Sequence, residues 1–143
     1  MEAGKAEVLD LIDKPIEKLS AFSRWPSLEE VPAVIDQATQ LLVDEFNPLQ
    51  VILFGSYARG DANEASDIDL LVVVPDEIEG TRSELNIRGG SRLWDMPMPI
   101  DLIVQRYSLV KKGQEIPESV LSTIKAQGKV LYERSGQTQS TLD

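Results

Sequence analysis

The chain lacks both cysteine and histidine over its 143 residues. Without histidine, the sequence excludes a Ser-His-Asp triad, a histidine-ligated zinc ion and an imidazole general base. Without cysteine, it also excludes disulfide bonds, thiolate nucleophiles and cysteine-ligated zinc. Any metal must therefore be held by oxygen ligands, and carboxylates favour Mg²⁺, Mn²⁺ or Ca²⁺.

Basic residues are also few, because 14 Lys and Arg stand against 24 Asp and Glu, which gives a net charge of −10. A protein that binds nucleic acid by itself needs a basic surface for the phosphates, so we expect no direct nucleic acid binding. No apolar run reaches the ~18 residues of a membrane span, and residues 1–10 lack the apolar core of a signal peptide. We therefore expect a cytoplasmic protein that does not bind membranes.

Alternating helical and strand patterns predict an α/β fold, a small mixed β-sheet flanked by helices. The spacing of Ser27 and Glu30 is typical of a capping box and predicts a helix that Asn47 ends. We expect Gly89-Gly90 to break a weak helix over 81–94. We expect Lys111-Lys112 to form a turn. Further elements are strands over 49–54, 68–74, 99–104 and 129–132, the last at an edge, a short helix start at 57–60, and a helix over 117–127.

The chain divides into a helical extension (1–29), one main domain (30–133) and a disordered tail (134–143). Apolar residues recur at helical spacing within 6–22, interrupted by Pro15. They form either a lid on the core or a partner-binding face, and the pattern does not choose between the two.

The most informative segment holds Gly55-Ser56, ten further residues, and then Asp67-Ile68-Asp69. Alternate residues of a strand point to the same side, so Asp67 and Asp69 project together with Cα atoms about 6–7 Å apart. Two like charges so close repel each other, and a bound divalent cation keeps both ionised. The spacing therefore predicts a metal site.

Gly55 follows directly on a predicted buried strand, where glycine allows a sharp turn and the close approach of a phosphate. Ser56 then offers its hydroxyl and amide at the first turn of a helix, where free amides favour an anion. A phosphate site beside a metal site suits a Mg²⁺-bound triphosphate and two-metal phosphoryl or nucleotidyl transfer.

A third carboxylate is expected from a neighbouring strand. Asp101 lies among the apolar residues of 100–104, and an acid in that setting is costly unless it faces a cation or an open cleft. Asp95 is the substitute candidate. The competing interpretation is a surface hairpin with solvated acids.

The segments 55–60, 66–73 and 100–104 resemble the minimal nucleotidyltransferases of the DNA polymerase beta superfamily, and the resemblance covers residues 30–133. It implies the nucleotidyltransferase fold, two Mg²⁺ ions for which Mn²⁺ could substitute, and ATP as substrate.

The resemblance also implies a role for each motif residue. Gly55 and Ser56 bind the nucleoside triphosphate, and Arg59, whose role stays open, matches a frequent arginine of the nucleotide-binding motif. Asp67 and Asp69 hold the metals. Asp101 completes this metal-binding and catalytic triad and helps to deprotonate the acceptor hydroxyl.

Stand-alone proteins of this kind resemble antitoxins that transfer AMP from ATP to a tyrosine of a HEPN-domain toxin. The first hypothesis is therefore a Mg²⁺-dependent protein adenylyltransferase, the antitoxin of a type VII-like toxin–antitoxin pair. The second is a non-catalytic nucleotide-binding module that blocks its partner sterically. The third is the catalytic subunit of a small-molecule nucleotidyltransferase of the aminoglycoside type. The pattern leaves open the nucleotide, the acceptor, and whether the chain forms a homo- or hetero-oligomer.

Overall fold

One mixed four-stranded sheet organises the computed structural model, which describes residues 26–135. The strand order is β3-β2-β1-β4, where β1 runs antiparallel to β2 and β4, and β2 runs parallel to β3. The elements in chain order are α1 (Val31–Phe46), β1 (Gln50–Phe54), α2 (Ser56–Arg59), β2 (Ile68–Val74), α3 (Arg82–Leu93), β3 (Ile100–Arg106), α4 (Tyr107–Gln114), α5 (Val120–Gln127) and β4 (Lys129–Glu133). The predicted α/β fold with a mixed sheet is confirmed, as is the edge position of the last strand.

Strand β2 is the centre of the core because both of its faces are covered. Leu70 and Val72 pack in the apolar cluster that includes α1 and α3. Leu71 and Val73 pack in a second cluster with Val110 of α4. Burial on both faces explains why residues 70–74 of β2 are a continuous apolar run instead of an alternating one.

Helix α3 continues through Gly89-Gly90, so the predicted break was wrong. A Cβ atom at Gly89 would lie 2.6 Å from Leu102 Cδ2 and 3.2 Å from Phe46 Cε2. The glycine therefore lets α3 approach β3 and α1 closely. A reciprocal capping box begins the helix, since the Glu84 amide donates to Thr81 Oγ1 at 3.0 Å and the Thr81 amide donates to Glu84 Oε1 at 2.9 Å.

The capping box predicted at Ser27 and Glu30 is only half formed. The Ser27 amide donates to Glu30 Oε1 at 2.8 Å, but Glu30 itself is the N-cap and the helix begins at Val31. The predicted end at Asn47 is confirmed, because Asn47 adopts a left-handed conformation with φ of 46°. The turn expected at Lys111-Lys112 is wrong, since both residues lie in α4.

Most of the predicted extension (1–29) and of the predicted tail (134–143) lies outside the described residues. Both therefore stay predictions. Within residues 26–135, no helix is long and apolar enough to cross a membrane.

Candidate active site

Two parallel strands bring two of the predicted acids together. In the register between β2 and β3, Asp69 stands opposite Asp101, and their side chains hydrogen-bond to each other. Asp67 directly precedes β2, and its negative charge acts on Asp69. All three acids thus lie at the end of the sheet where β2 and β3 begin.

The environment of Asp69 raises its pKa to about 6. Burial is the largest cause, followed by the hydrogen bond and the negative charge of Asp101, and then by the charge of Asp67; the positive charge of Arg59 acts in the opposite direction. Asp69 therefore holds a proton to a higher pH than an isolated carboxyl does.

Gly55 lies directly against this carboxyl. Its φ of 76° and ψ of −156° suit glycine alone, and a Cβ atom there would overlap Asp69 Oδ2 and lie 3.0 Å from Asp69 Cγ. The contact arises because Phe54, the last residue of β1, pairs with Asp69. Glycine therefore makes room for the acid, a role that the motif spacing did not show because it depends on the strand register.

Ser56 and Arg59 form the two ends of the short helix α2. The carbonyl of Gly55 accepts from the amides of Ala58 and Arg59, both at 3.0 Å, which closes the turn after β1. Arg59 Nε donates to Asp61 Oδ2 at 3.3 Å in an exposed pair. The turn thus places Ser56 next to the residue that packs on Asp69, and Arg59 within electrostatic reach of the same carboxyl.

Asp95, the substitute for the third carboxylate, lies elsewhere. It is exposed in the turn that follows α3, whereas Asp101 is the acid that the sheet register sets against Asp69.

The donor set fits a divalent cation, although the described residues include no group of three or more acids arranged as metal ligands. Asp69 and Asp101 are carboxyls held at hydrogen-bonding distance, with the charge of Asp67 nearby. Two such oxygen ligands repel each other when both are ionised, and a divalent cation relieves that repulsion where a proton otherwise does.

Two grooves lie near the candidate site, and none of the three acids lines either of them. One, of about 310 Å³, is lined by Gly55 and Arg59 and by Ser119 and Val120 at the start of α5. The other, of about 640 Å³, lies between the end of α3 and the start of β3 and includes Ile100, the neighbour of Asp101. The groove of about 310 Å³ lies beside Gly55, which packs against the Asp69 carboxyl, whereas Ile100 packs with the cluster that includes α1 and α3, on the face of the sheet opposite to the Asp101 side chain.

Comparison with known protein families identifies the family of this chain. The profile of the nucleotidyltransferase domain matches residues 35–126. This match spans more than half of the 143 residues, so the chain belongs to the nucleotidyltransferase domain family.

Individual relatives are similar over shorter stretches. Protein adenylyltransferase MntA of Thermococcus cleftensis is 39% identical over 46 residues, which are 32% of this chain and 46% of that protein. The chain spans about half the length of the curated relatives it matches.

Solved structures are similar to this chain over about three quarters of its length. A candidate nucleotidyltransferase from Sulfolobus solfataricus aligns with a TM-score of 0.53 at 20% identity, over 73% of this chain and 81% of that one. One chain of a Shewanella oneidensis complex between a tri-AMPylated HEPN toxin and an MNT antitoxin aligns with a TM-score of 0.42 at 24% identity, over 76% of each chain.

Proposed function

We propose that this chain transfers AMP from ATP to a hydroxyl group of a protein, in a reaction that needs a divalent metal ion. The observation that carries the proposal is the pair of Asp69 and Asp101, held together by parallel strands with Asp67 and Gly55 beside it. Acids that only served stability would be separated or neutralised by basic partners, because an uncompensated pair of like charges costs stability.

Each residue has a distinct part in the proposed reaction. Gly55 and Ser56 would receive the phosphates of ATP, with Arg59 nearby, and Asp67, Asp69 and Asp101 would hold two Mg²⁺ ions. Bound Mg²⁺ would stabilise the charge that develops on the attacking and leaving oxygens.

The acceptor hydroxyl attacks the α-phosphorus of ATP while the bond to the bridging oxygen breaks and pyrophosphate leaves. Asp101 accepts the proton of the hydroxyl. It is suited to this because it is exposed, whereas Asp69 is partly buried.

The name of the relatives, protein adenylyltransferase, supports a protein as the acceptor. We propose a tyrosine of a HEPN-domain toxin as the acceptor and a cytoplasmic role for this chain as the antitoxin, which the resemblance described above implies. Neutralisation of the toxin would then consist of a covalent change in the toxin.

AMP transfer from labelled ATP tests the proposal directly. The chain, Mg²⁺ and ATP labelled in the α-phosphate are incubated with the HEPN-domain protein encoded nearest to its gene, and mass spectrometry locates the label. We expect label on a tyrosine and a loss of at least about 100-fold in Asp67→Asn. Asp36→Asn, which changes an exposed acid of α1, is the matched control and retains full activity.

Two results would replace the proposal by another function. Toxin neutralisation that persists in Asp67→Asn without any label shows a steric, non-catalytic module. Label on an aminoglycoside but on no protein shows a small-molecule nucleotidyltransferase. EDTA is expected to abolish transfer, and unlabelled GTP, CTP and UTP added as competitors identify the preferred nucleotide.

A further inference from the structure

The groove of about 310 Å³ opens on the face of the sheet that carries the Asp69 side chain. Phe54, which lines the groove, pairs with Asp69 on the neighbouring strand, and residues that pair directly point to the same face. Phe54 packs on the apolar cluster that holds Leu71, two residues after Asp69 on β2, and Ile124, which also lines the groove. We call this opening, between the end of β1 and helix α5, the β1–α5 groove.

Helix α5 gives the groove one apolar and one polar stripe. Val120 and Ile124 lie four residues apart, as do Ser119, Thr123 and Gln127, and all five line the groove. Val120 is 59% exposed, so much of its apolar surface is open to a ligand. A flat ring can lie against the apolar stripe while its polar edge meets the other stripe, an arrangement typical of small-molecule sites.

The hydroxyl groups of the polar stripe have their hydrogens engaged within the protein. Thr123 Oγ1 donates to the carbonyl of Ser119 at 3.1 Å, and Ser119 Oγ donates to the carbonyl of Gly113 at 2.7 Å. Because a hydroxyl has a single hydrogen, Thr123 can only accept a hydrogen bond from a ligand, whereas the Gln127 amide can both accept and donate. The stripe therefore offers two acceptors and one amide donor.

This set of hydrogen-bonding groups distinguishes the nucleobases. Adenine and cytosine carry an amino group beside a ring nitrogen that accepts, whereas guanine and uracil carry a carbonyl oxygen in its place. The two hydrogens of an amino group match the acceptors of Thr123 and Gln127, and the ring nitrogen matches the Gln127 amide donor. A carbonyl oxygen would face Thr123 with no hydrogen between the two oxygens, which is unfavourable. Adenine also covers more of the apolar stripe than cytosine does, because its ring system is larger.

The β1–α5 groove is continuous with the proposed phosphate site. Gly55 and Arg59 line the groove together with Thr123 and Gln127. Gly55 also packs against the Asp69 carboxyl. A nucleotide with its phosphates at Gly55 can therefore place its base against α5 on the face of the sheet that carries the acids.

We propose that the β1–α5 groove binds the base of the nucleotide and that Thr123 and Gln127 select a base with an amino group, adenine first and cytosine second. This inference rests on the proposed function, because it takes the phosphates to lie at Gly55 and Ser56. The two side chains contact the base and not the metal ions. Their substitution changes which nucleotide binds and leaves the phosphate contacts intact.

Calorimetric titration with nucleotides in Mg²⁺, without any acceptor protein, tests this selection. ATP and ITP are the decisive pair, because ITP carries a carbonyl oxygen where ATP carries the amino group and has the same ring system. Wild type is expected to bind ITP and GTP at least about fivefold more weakly than ATP, with CTP between them. Tripolyphosphate has no base, and its affinity measures the phosphate contacts alone.

Two variants remove the selecting groups without changing the shape of the groove much. Gln127→Met keeps a long unbranched side chain, and Thr123→Val keeps a β-branched one. Each is expected to reduce the preference for ATP over ITP at least about twofold, and the double variant is expected to remove it. Ala126→Met, at an exposed position of α5 outside the groove lining, is the matched control and keeps the wild-type preference. Unchanged affinity for tripolyphosphate is expected in all of these variants and shows that they fold.

Three results would overturn the inference. These are equal binding of ATP and ITP by wild type, an ATP preference that the double variant retains, or binding of ATP no tighter than that of tripolyphosphate. Nucleotide binding with the expected preference, but with no transfer to any protein, would contradict the proposed function and still support the role of the groove. Absence of binding of every triphosphate would contradict both.

Discussion

The two ends of the parallel strands β2 and β3 differ in how their charged side chains are paired. At the end of β3, Arg106 donates to the carbonyls of Asp76, Ile78 and Gly80 at 3.2, 2.7 and 2.6 Å. At the start of the same strands, no ion pair within residues 26–135 joins Asp67, Asp69 or Asp101 to a basic side chain. At the end of β3 the guanidinium is paired with backbone carbonyls, whereas at the start of β2 and β3 the carboxyls of like charge lie near one another.

This difference separates a structural end of the sheet from the end that holds the candidate active site. A guanidinium that satisfies three carbonyls holds the loop over 76–80 in place. Acids kept near one another reduce stability, and such an arrangement is typical of sites that bind a ligand of opposite charge. The comparison predicts that substitutions at one end change stability and that substitutions at the other change activity.

The largest expected effect comes from exchanging one charge at each end. Asp69→Asn is expected to lower AMP transfer by at least about 100-fold and not to reduce the free energy of unfolding, because it removes like-charge repulsion. Arg106→Ala is expected to lower the free energy of unfolding by about 2 kcal/mol through its lost hydrogen bonds, with activity per folded molecule retained. Urea denaturation and the labelling assay measure the two. Loss of stability without loss of activity in Asp69→Asn would show instead that the acidic end serves stability.

Two glycines with positive φ give a second, smaller contrast. Gly55 (φ 76°) lies at the acidic end, and Gly80 (φ 113°) lies in the loop that Arg106 holds. Gly80→Ala is expected to cost about 1 kcal/mol of stability and to leave transfer unchanged. Gly55→Ala carries a similar backbone cost but also displaces the Asp69 carboxyl, so we expect transfer to fall by about tenfold or more. Equal activity of the two variants would show that Asp69 tolerates the displacement.

The parts of the molecule that local sequence patterns determine were predictable. Strand β2 was predicted with its observed bounds because its apolar run has Asp67 before it and Pro75 after it. Asp101 was predicted to join Asp69 because it is an acid among the apolar residues of a predicted strand and because the family resemblance implies a third carboxylate there. The register that sets them opposite each other follows from the parallel pairing and was not in the pattern.

The parts that depend on tertiary contacts were not predictable. Gly89 resembles a helix breaker until Leu102 and Phe46 are seen to need the space. Gly55 was interpreted through phosphate approach, because its contact with Asp69 requires the pairing of Phe54 with Asp69. The exposure of Trp94, at 83%, is likewise a property that only the structure shows.

The smallest expected effect is the pH dependence of stability that Asp69 produces. Its pKa is raised from 3.8 to about 6 in the folded chain, so between these values the folded state binds more protons than the unfolded state. Stability therefore falls as pH rises from about 4 through 6 and then levels off. Because Asp69 is partly exposed, solvent screening reduces the effect to about 1 kcal/mol.

Thermal denaturation in EDTA at pH 5 and pH 7.5 measures this effect. Burial raises the pKa of Glu45, but hydrogen bonds and charges from Arg88 and Arg92 lower it overall, so Glu45 stays ionised throughout this range and contributes little to the difference. Between pH 5 and pH 7.5, wild type is expected to lose more stability than Asp69→Asn does. Mg²⁺ is expected to stabilise wild type at pH 7.5 and Asp69→Asn much less. Identical pH profiles of the two proteins would show that the raised pKa does not affect folding.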